Sequence, residues 1–153
     1  MFAALIVERR NIAVEWRVQA AVQLHWSYPM AALAGCTILV VEDEPLVAID
    51  IADSFRSVGA QVIIARTLEH AIREATAADL TAAVIDHAMH DGVTTSDVCA
   101  ALKEREIPFI VYSGFTKLEG ACADGELVHK PATPTMLLAS LQGVLAQHQR
   151  RLN

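Results

Sequence analysis

Thr37-Ile-Leu-Val-Val-Glu42-Asp43-Glu44-Pro45 is a short apolar run closed by three acids and a proline. Such a run, rich in β-branched residues and bounded by charge, reads as a buried strand. Pro45 suits the first turn of a helix, where its missing N–H would have no partner in any case. The same alternation repeats along the chain. Strands are expected at 37–42, 60–65, 81–86, 108–112 and 126–129, with helical periodicities between them, which is the pattern of βαβ units on a parallel sheet. The helix opening at Pro45 should bury Val47, Ile51, Phe55 and Val58 and stop at Gly59. Thr67 caps a second helix facing inward through Leu68, Ala71, Ile72 and Ala75, and Thr95 or Ser96 opens a third that ends before Pro108. Thr133-Pro134 opens the last, with Leu137, Leu141, Val144 and Leu145 inward. Between Ser113 and Lys130 there is room for roughly two helical turns, within about Thr116 to Cys122, and Gly120 weakens them.

The chain has 153 residues, 54% of them hydrophobic, and its mean hydropathy is +0.35. That is enough to build one core, so a single domain over 37–148 is expected, followed by a tail at 149–153. The net charge of -6 and twelve scattered Lys and Arg exclude the basic footprint that phosphate backbones require, so no nucleic-acid contact is expected. No apolar stretch is long enough to span a bilayer, and no membrane association is expected. Cys36, Cys99 and Cys122 are odd in number and lack ligand-like spacing, which favours buried thiols in a reducing, cytoplasmic compartment.

Residues 1–36 follow a different pattern. From Ile12 to Trp26 every even position is apolar, while the odd positions carry Glu15, Arg17, Gln19, Gln23 and His25. Strict alternation predicts a strand or hairpin, and an alternating edge can pair with its equivalent in a second copy, giving a homodimer. Met30 as the true start of the protein is an equally weighted alternative.

The chemistry lies at the strand ends. Asp86 closes Thr81-Ala-Ala-Val-Ile-Asp86, and a carboxylate there can attack phosphorus and carry an acyl phosphate. The attack brings negative charge toward negative charge, so it needs a cation, and Mg²⁺ takes carboxylates, waters and substrate oxygens as ligands. Glu42 and Asp43 supply acids, with a backbone carbonyl near Ala88 as a further ligand. Ser113 can donate its hydroxyl to a phosphoryl oxygen, and Lys130 brings a mobile positive charge. His87 and His90 flank Asp86; they are expected to face solvent and to modulate the phosphoryl chemistry rather than to bind a transition metal.

Ile38-Leu-Val-Val-Glu42-Asp43-Glu44-Pro45, Val84-Ile-Asp86, Ser113-Gly114 and His129-Lys130-Pro131 together resemble the receiver domain of two-component response regulators over about residues 37–148. The resemblance implies an α/β flavodoxin-like, doubly wound, five-stranded parallel sheet of order 2-1-3-4-5. It also implies Mg²⁺-dependent transfer of a phosphoryl group to Asp86 from a histidine kinase or a histidine phosphotransfer protein. Glu42, Asp43 and Asp86 with the Ala88 carbonyl would be the metal ligands, Ser113 the switch hydroxyl and Lys130 the phosphoryl-binding lysine. The segment Pro108-Phe109-Ile-Val-Tyr112-Ser113-Gly114-Phe115 is similar to a receiver subgroup with a Pro-Phe-x-x-x-Thr-Gly-x sequence and a reduced fourth helix.

Several positions depart from the family pattern. The loop His87-Ala-Met-His90-Asp91-Gly92 is short and lacks the usual proline, and Leu127 stands where many receivers carry a rotating aromatic. Ala88 and Phe115 replace polar groups that steer hydrolytic water, which predicts a long-lived aspartyl phosphate. The last helix is expected to end the protein at Asn153, giving a stand-alone receiver that is not an enzyme. It would act as a phosphorelay shuttle or as a switch for an unknown downstream protein. The alternatives are a pseudo-receiver that binds partners without phosphorylation and an aspartyl-phosphate phosphatase. The second lacks the acid/base Asp two residues after the nucleophile, where Ala88 stands.

Overall fold

A computed structural model describes residues 32–90 and 94–153. The expected strands form as β1 (Thr37–Val41), β2 (Gln61–Ala65), β3 (Ala82–Asp86), β4 (Phe109–Ser113) and β5 (Glu126–His129). All pair in parallel in the order β2-β1-β3-β4-β5, with Val40 opposite both Ile64 and Val84, and Val84 opposite Ile110. This is the flavodoxin-like arrangement. Every residue of β3 and β4 is buried because both strands have neighbours on each side and helices over each face, whereas edge strands β2 and β5 keep exposed positions.

Alternation along the strands divides the core into two layers. Leu39, Val41, Ala83, Ile85 and Phe109 face α2 (Leu68–Ala77) and α3 (Ser96–Glu104). Ile38, Val40, Val84 and Ile110 face α1 (Pro45–Arg56) and α4 (Pro134–Leu152). Two helices start on the hydroxyl caps expected of them: Thr67 Oγ1 accepts from His70 N at 3.2 Å and Thr133 Oγ1 from Met136 N at 3.3 Å. In α1 the fully buried positions are Ala48, Ile51, Ala52 and Phe55, and Val47 lies at the margin of the packed face. In α4 they are Leu137, Leu138 and Leu141, with Val144 and Leu145 half-buried beside them. Gly59 ends the first helical segment at φ +94, where a side chain would be strained and its Cβ would lie 3.3 Å from the Ala34 backbone.

Three local readings differ from expectation. The two turns of helix expected between Thr116 and Cys122 are a single 3₁₀ segment at Gly120–Asp124, which starts at a glycine with φ +58. Residues 149–152, expected as a tail, continue α4. The packed chain also begins before Thr37: Leu33 is buried on the α1 side of the sheet and its N–H donates to Val58 O at 2.9 Å. The alternating stretch 12–26, Met30 and the strand-mediated dimer fall outside the described residues. Among those described, no helix is long and apolar enough to cross a membrane.

The cysteine expectation is corrected. Cys99 of α3 and Cys122 of the 3₁₀ segment are joined by a disulfide, both fully buried, and Cys36 alone is a free thiol. The fold brings their Cα atoms to 5.1 Å although 23 positions separate them in the chain. That distance lies within the range a disulfide can bridge. The argument for a reducing compartment therefore does not stand on these two residues.

Candidate functional site

Parallel strands deliver their carboxyl ends to one edge, and the chain departs in opposite directions from β1 and β3, leaving a crevice between their ends. Glu42 and Asp43 follow β1, Asp86 closes β3, Ser113 closes β4 and Lys130 follows β5. An open cleft of about 470 Å³ is lined by Glu42, Asp43, Asp86, Ala88 and Lys130 among others. Five of the expected residues are thus brought together. The carboxylates of Glu42, Asp43 and Asp86 each offer an oxygen, and the three oxygens lie within 4.8 Å of one another.

Asp86 is 4% exposed. Its Oδ2 accepts from Lys130 Nζ at 2.7 Å and its Oδ1 from Ala88 N at 3.2 Å. Lys130 also lies 4.7 Å from the centre of the Tyr112 ring, a cation–π contact. Burial pushes the Glu42 carboxyl up to about 7, and the nearby Asp86 and Asp43 add to the rise; the hydrogen bond from Glu44 N at 3.1 Å and the charge of Lys130 oppose it. Burial also acts upward on Asp43, but hydrogen bonds from the backbone N–H and ring of His90 outweigh it and leave that carboxyl below its ordinary range. Three converging carboxylates with one lysine form a hard, oxygen-rich set that fits Mg²⁺. A divalent cation there would also remove the mutual repulsion that helps keep Glu42 protonated.

Ser113 is buried, yet its side-chain hydrogen bonds go to the loop residues rather than to Asp86. Its Oγ accepts from Phe115 N at 3.0 Å and lies 3.3 Å from His87 Nδ1. The two histidines expected to face solvent both have partners. The His87 ring is half-buried and meets the Phe115 ring edge-on with centroids 5.5 Å apart. His90 keeps an exposed side chain but its ring contacts Asp43. The acidic end of β1 reaches across to the loop after Asp86 and engages it.

Two supporting residues had no distinctive signal in the sequence. Thr95, which reads as a helix cap, makes no side-chain cap; it is fully buried and its Oγ1 donates to the Asp86 carbonyl at 3.0 Å, tying the Asp86 backbone to α3. Tyr112, which the sequence places only at the end of the fourth strand, holds the loop carrying Lys130: its hydroxyl donates to Ala132 O at 3.3 Å and accepts from Ala132 N at 3.2 Å. Tyr112→Phe should cost about 1 kcal/mol in a denaturant titration, because both Ala132 groups lose their partner. Unchanged stability would mean that water replaces the hydroxyl without penalty.

No family model and no curated protein matches the sequence. Solved structures do match. A CheY-like response regulator receiver domain protein from Methanospirillum hungatei JF-1 is 22% identical with a TM-score of 0.67, over 76% of this chain and 98% of that one. A receiver protein from Sinorhizobium medicae WSM419 is 23% identical with a TM-score of 0.65, over 74% and 96%. The response regulator PhyR from Brucella abortus is 25% identical with a TM-score of 0.67, over 88% of this chain and 58% of PhyR. With the strand order and helix placement described above, the chain has the fold of response regulator receiver domains.

Proposed function

We propose that the protein accepts a phosphoryl group on Asp86 from a histidine kinase or a histidine phosphotransfer protein, and that it acts as a phosphorelay shuttle or a phosphorylation-dependent switch for a protein partner. The observation that carries this reading is the setting of the Asp86 carboxylate, which has Lys130 Nζ at 2.7 Å and an oxygen of each of the Glu42 and Asp43 carboxylates within 4.8 Å. Asp86 is the nucleophile. Lys130 orients it in the resting protein and can follow a phosphoryl oxygen afterwards, since both are anionic partners for the same ammonium. Mg²⁺ held by Glu42, Asp43, Asp86 and the Ala88 carbonyl would neutralise the non-bridging phosphoryl oxygens. Ala88 leaves the loop without an acid/base two positions after the nucleophile, which argues against turnover of external phosphate esters.

The test uses the full chain with acetyl phosphate and Mg²⁺, followed by intact-mass measurement. The parent is expected to gain one phosphoryl group, and Asp86→Asn none. An equal gain in both proteins would place the modification elsewhere. No gain in either would favour a module that binds partners without phosphorylation.

A further inference from the structure

A hydroxyl has one proton to give, and the surroundings of Ser113 Oγ determine where it goes. Phe115 N–H donates to this oxygen at 3.0 Å, and His87 Nδ1, at 3.3 Å, accepts the hydroxyl proton when the imidazole carries its own proton on Nε2. Ser113 is 1% exposed, which keeps solvent from offering a substitute. His87 is fixed in place by its backbone. Its N–H donates to Tyr112 O at 3.1 Å, its carbonyl accepts from Thr95 Oγ1 at 3.3 Å, and its ring stands edge-on to Phe115.

We propose that His87 is a positioning residue that holds the Ser113 hydroxyl proton in the unphosphorylated protein, so that a phosphoryl group on Asp86 must win that proton from His87 before Ser113 can bind it. The proposal rests on the phosphoacceptor reading of Asp86 and adds to it the resting partner of the switch hydroxyl. The exchange moves one hydrogen bond and breaks no covalent bond: Oγ–H turns from an imidazole nitrogen to a phosphoryl oxygen. The released imidazole loses the hydrogen bond that fixes its ring edge-on to Phe115, which is 58% exposed at the surface beside the end of β4. Events at Asp86 thereby reach an exposed aromatic. Leu127, half-buried on β5 against the α3 side of the core, has no ring to rotate.

Two measurements test this on the full chain. In the unphosphorylated protein, ¹⁵N NMR of the imidazole should show His87 Nδ1 without a proton, with its shift moving in Ser113→Ala; a protonated Nδ1 would overturn the proposal whatever happens at Asp86. At sub-saturating acetyl phosphate with Mg²⁺, His87→Leu should raise the phosphorylated fraction relative to unphosphorylated protein about fivefold, the value of one modest hydrogen bond. His87→Asn, whose carbonyl oxygen can take the place of Nδ1, should stay near the parent. In a Ser113→Ala background His87→Leu should change nothing. Equal effects of His87→Leu in both backgrounds, or none in either, would overturn the proposal, because the imidazole would then act independently of the hydroxyl. A parent protein that gains no mass would overturn the phosphoacceptor reading itself, and the NMR measurement would still report the contact separately.

Discussion

Removing the Cys99–Cys122 bond is expected to lower stability by about 3 kcal/mol, whether by reductant or by the Cys99→Ala, Cys122→Ala double variant. The estimate follows from the 23 positions the bond closes, since most of its effect in the chain-entropy model is exerted on the unfolded ensemble. Two local features argue that the native state also needs it. The 3₁₀ segment at Gly120–Asp124 is too short to bury much apolar surface of its own; its one fully buried side chain is Cys122. The side-chain ion pair between the segment and α3, Lys103–Asp124 at 2.7 Å, is exposed, and exposed ion pairs contribute little. Loss of the bond should therefore loosen 114–125 before the rest of the sheet. Hydrogen exchange in that segment should rise more than exchange in β1 or β3. Alkylation of the unfolded, unreduced protein should modify Cys36 alone; three modified cysteines would show that the bond does not form.

How much of this was readable beforehand depends on the range of the interactions. The strands at Thr37–Val41 and Ala82–Asp86 were legible because full burial on two faces demands uninterrupted apolar runs, and the helix starts at Pro45, Thr67 and Thr133 because caps are local. The meeting of Glu42, Asp43, Asp86 and Lys130 followed from parallel strands ending on one edge, with no need to know a single side-chain contact. The rest depended on loops. Residues 114–125 could have held a short α-helix; the left-handed backbone at Gly120 and the tie at Cys122 hold a 3₁₀ turn there instead. The Cys99 pairing crosses β4, and sequence spacing carries no trace of it. His87 read as a solvent-facing neighbour of Asp86, because its contact with Ser113 comes from a backbone that Thr95 holds from eight and nine positions away, at His87 and Asp86.

Glu42→Gln is expected to stabilise the metal-free protein at pH 8 and to change little at pH 4.5. The folded carboxyl sits at about 7 and its ordinary value is 4.5, so between those two values the folded protein binds a proton that the unfolded chain does not. Stability then falls as pH rises through that window, and above it the ionised, buried Glu42 costs up to about 3 kcal/mol. Glutamine carries no charge, and its side-chain oxygen can still accept from Glu44 N, so the variant keeps the local hydrogen bond and escapes the penalty. Denaturant midpoints in a chelator at pH 4.5, 6 and 8 should show the two proteins diverging upward through the series. Parallel profiles would mean that Glu42 titrates at its ordinary value, with the carboxylates apart or hydrated. Mg²⁺ should reverse the order at pH 8. Held by three carboxylates it would stabilise the parent, and it would stabilise Glu42→Gln less, since one charge of the set is gone. That order of stabilities would account for a buried acid that burdens the resting fold at neutral pH by the cation proposed to sit between the three carboxylates.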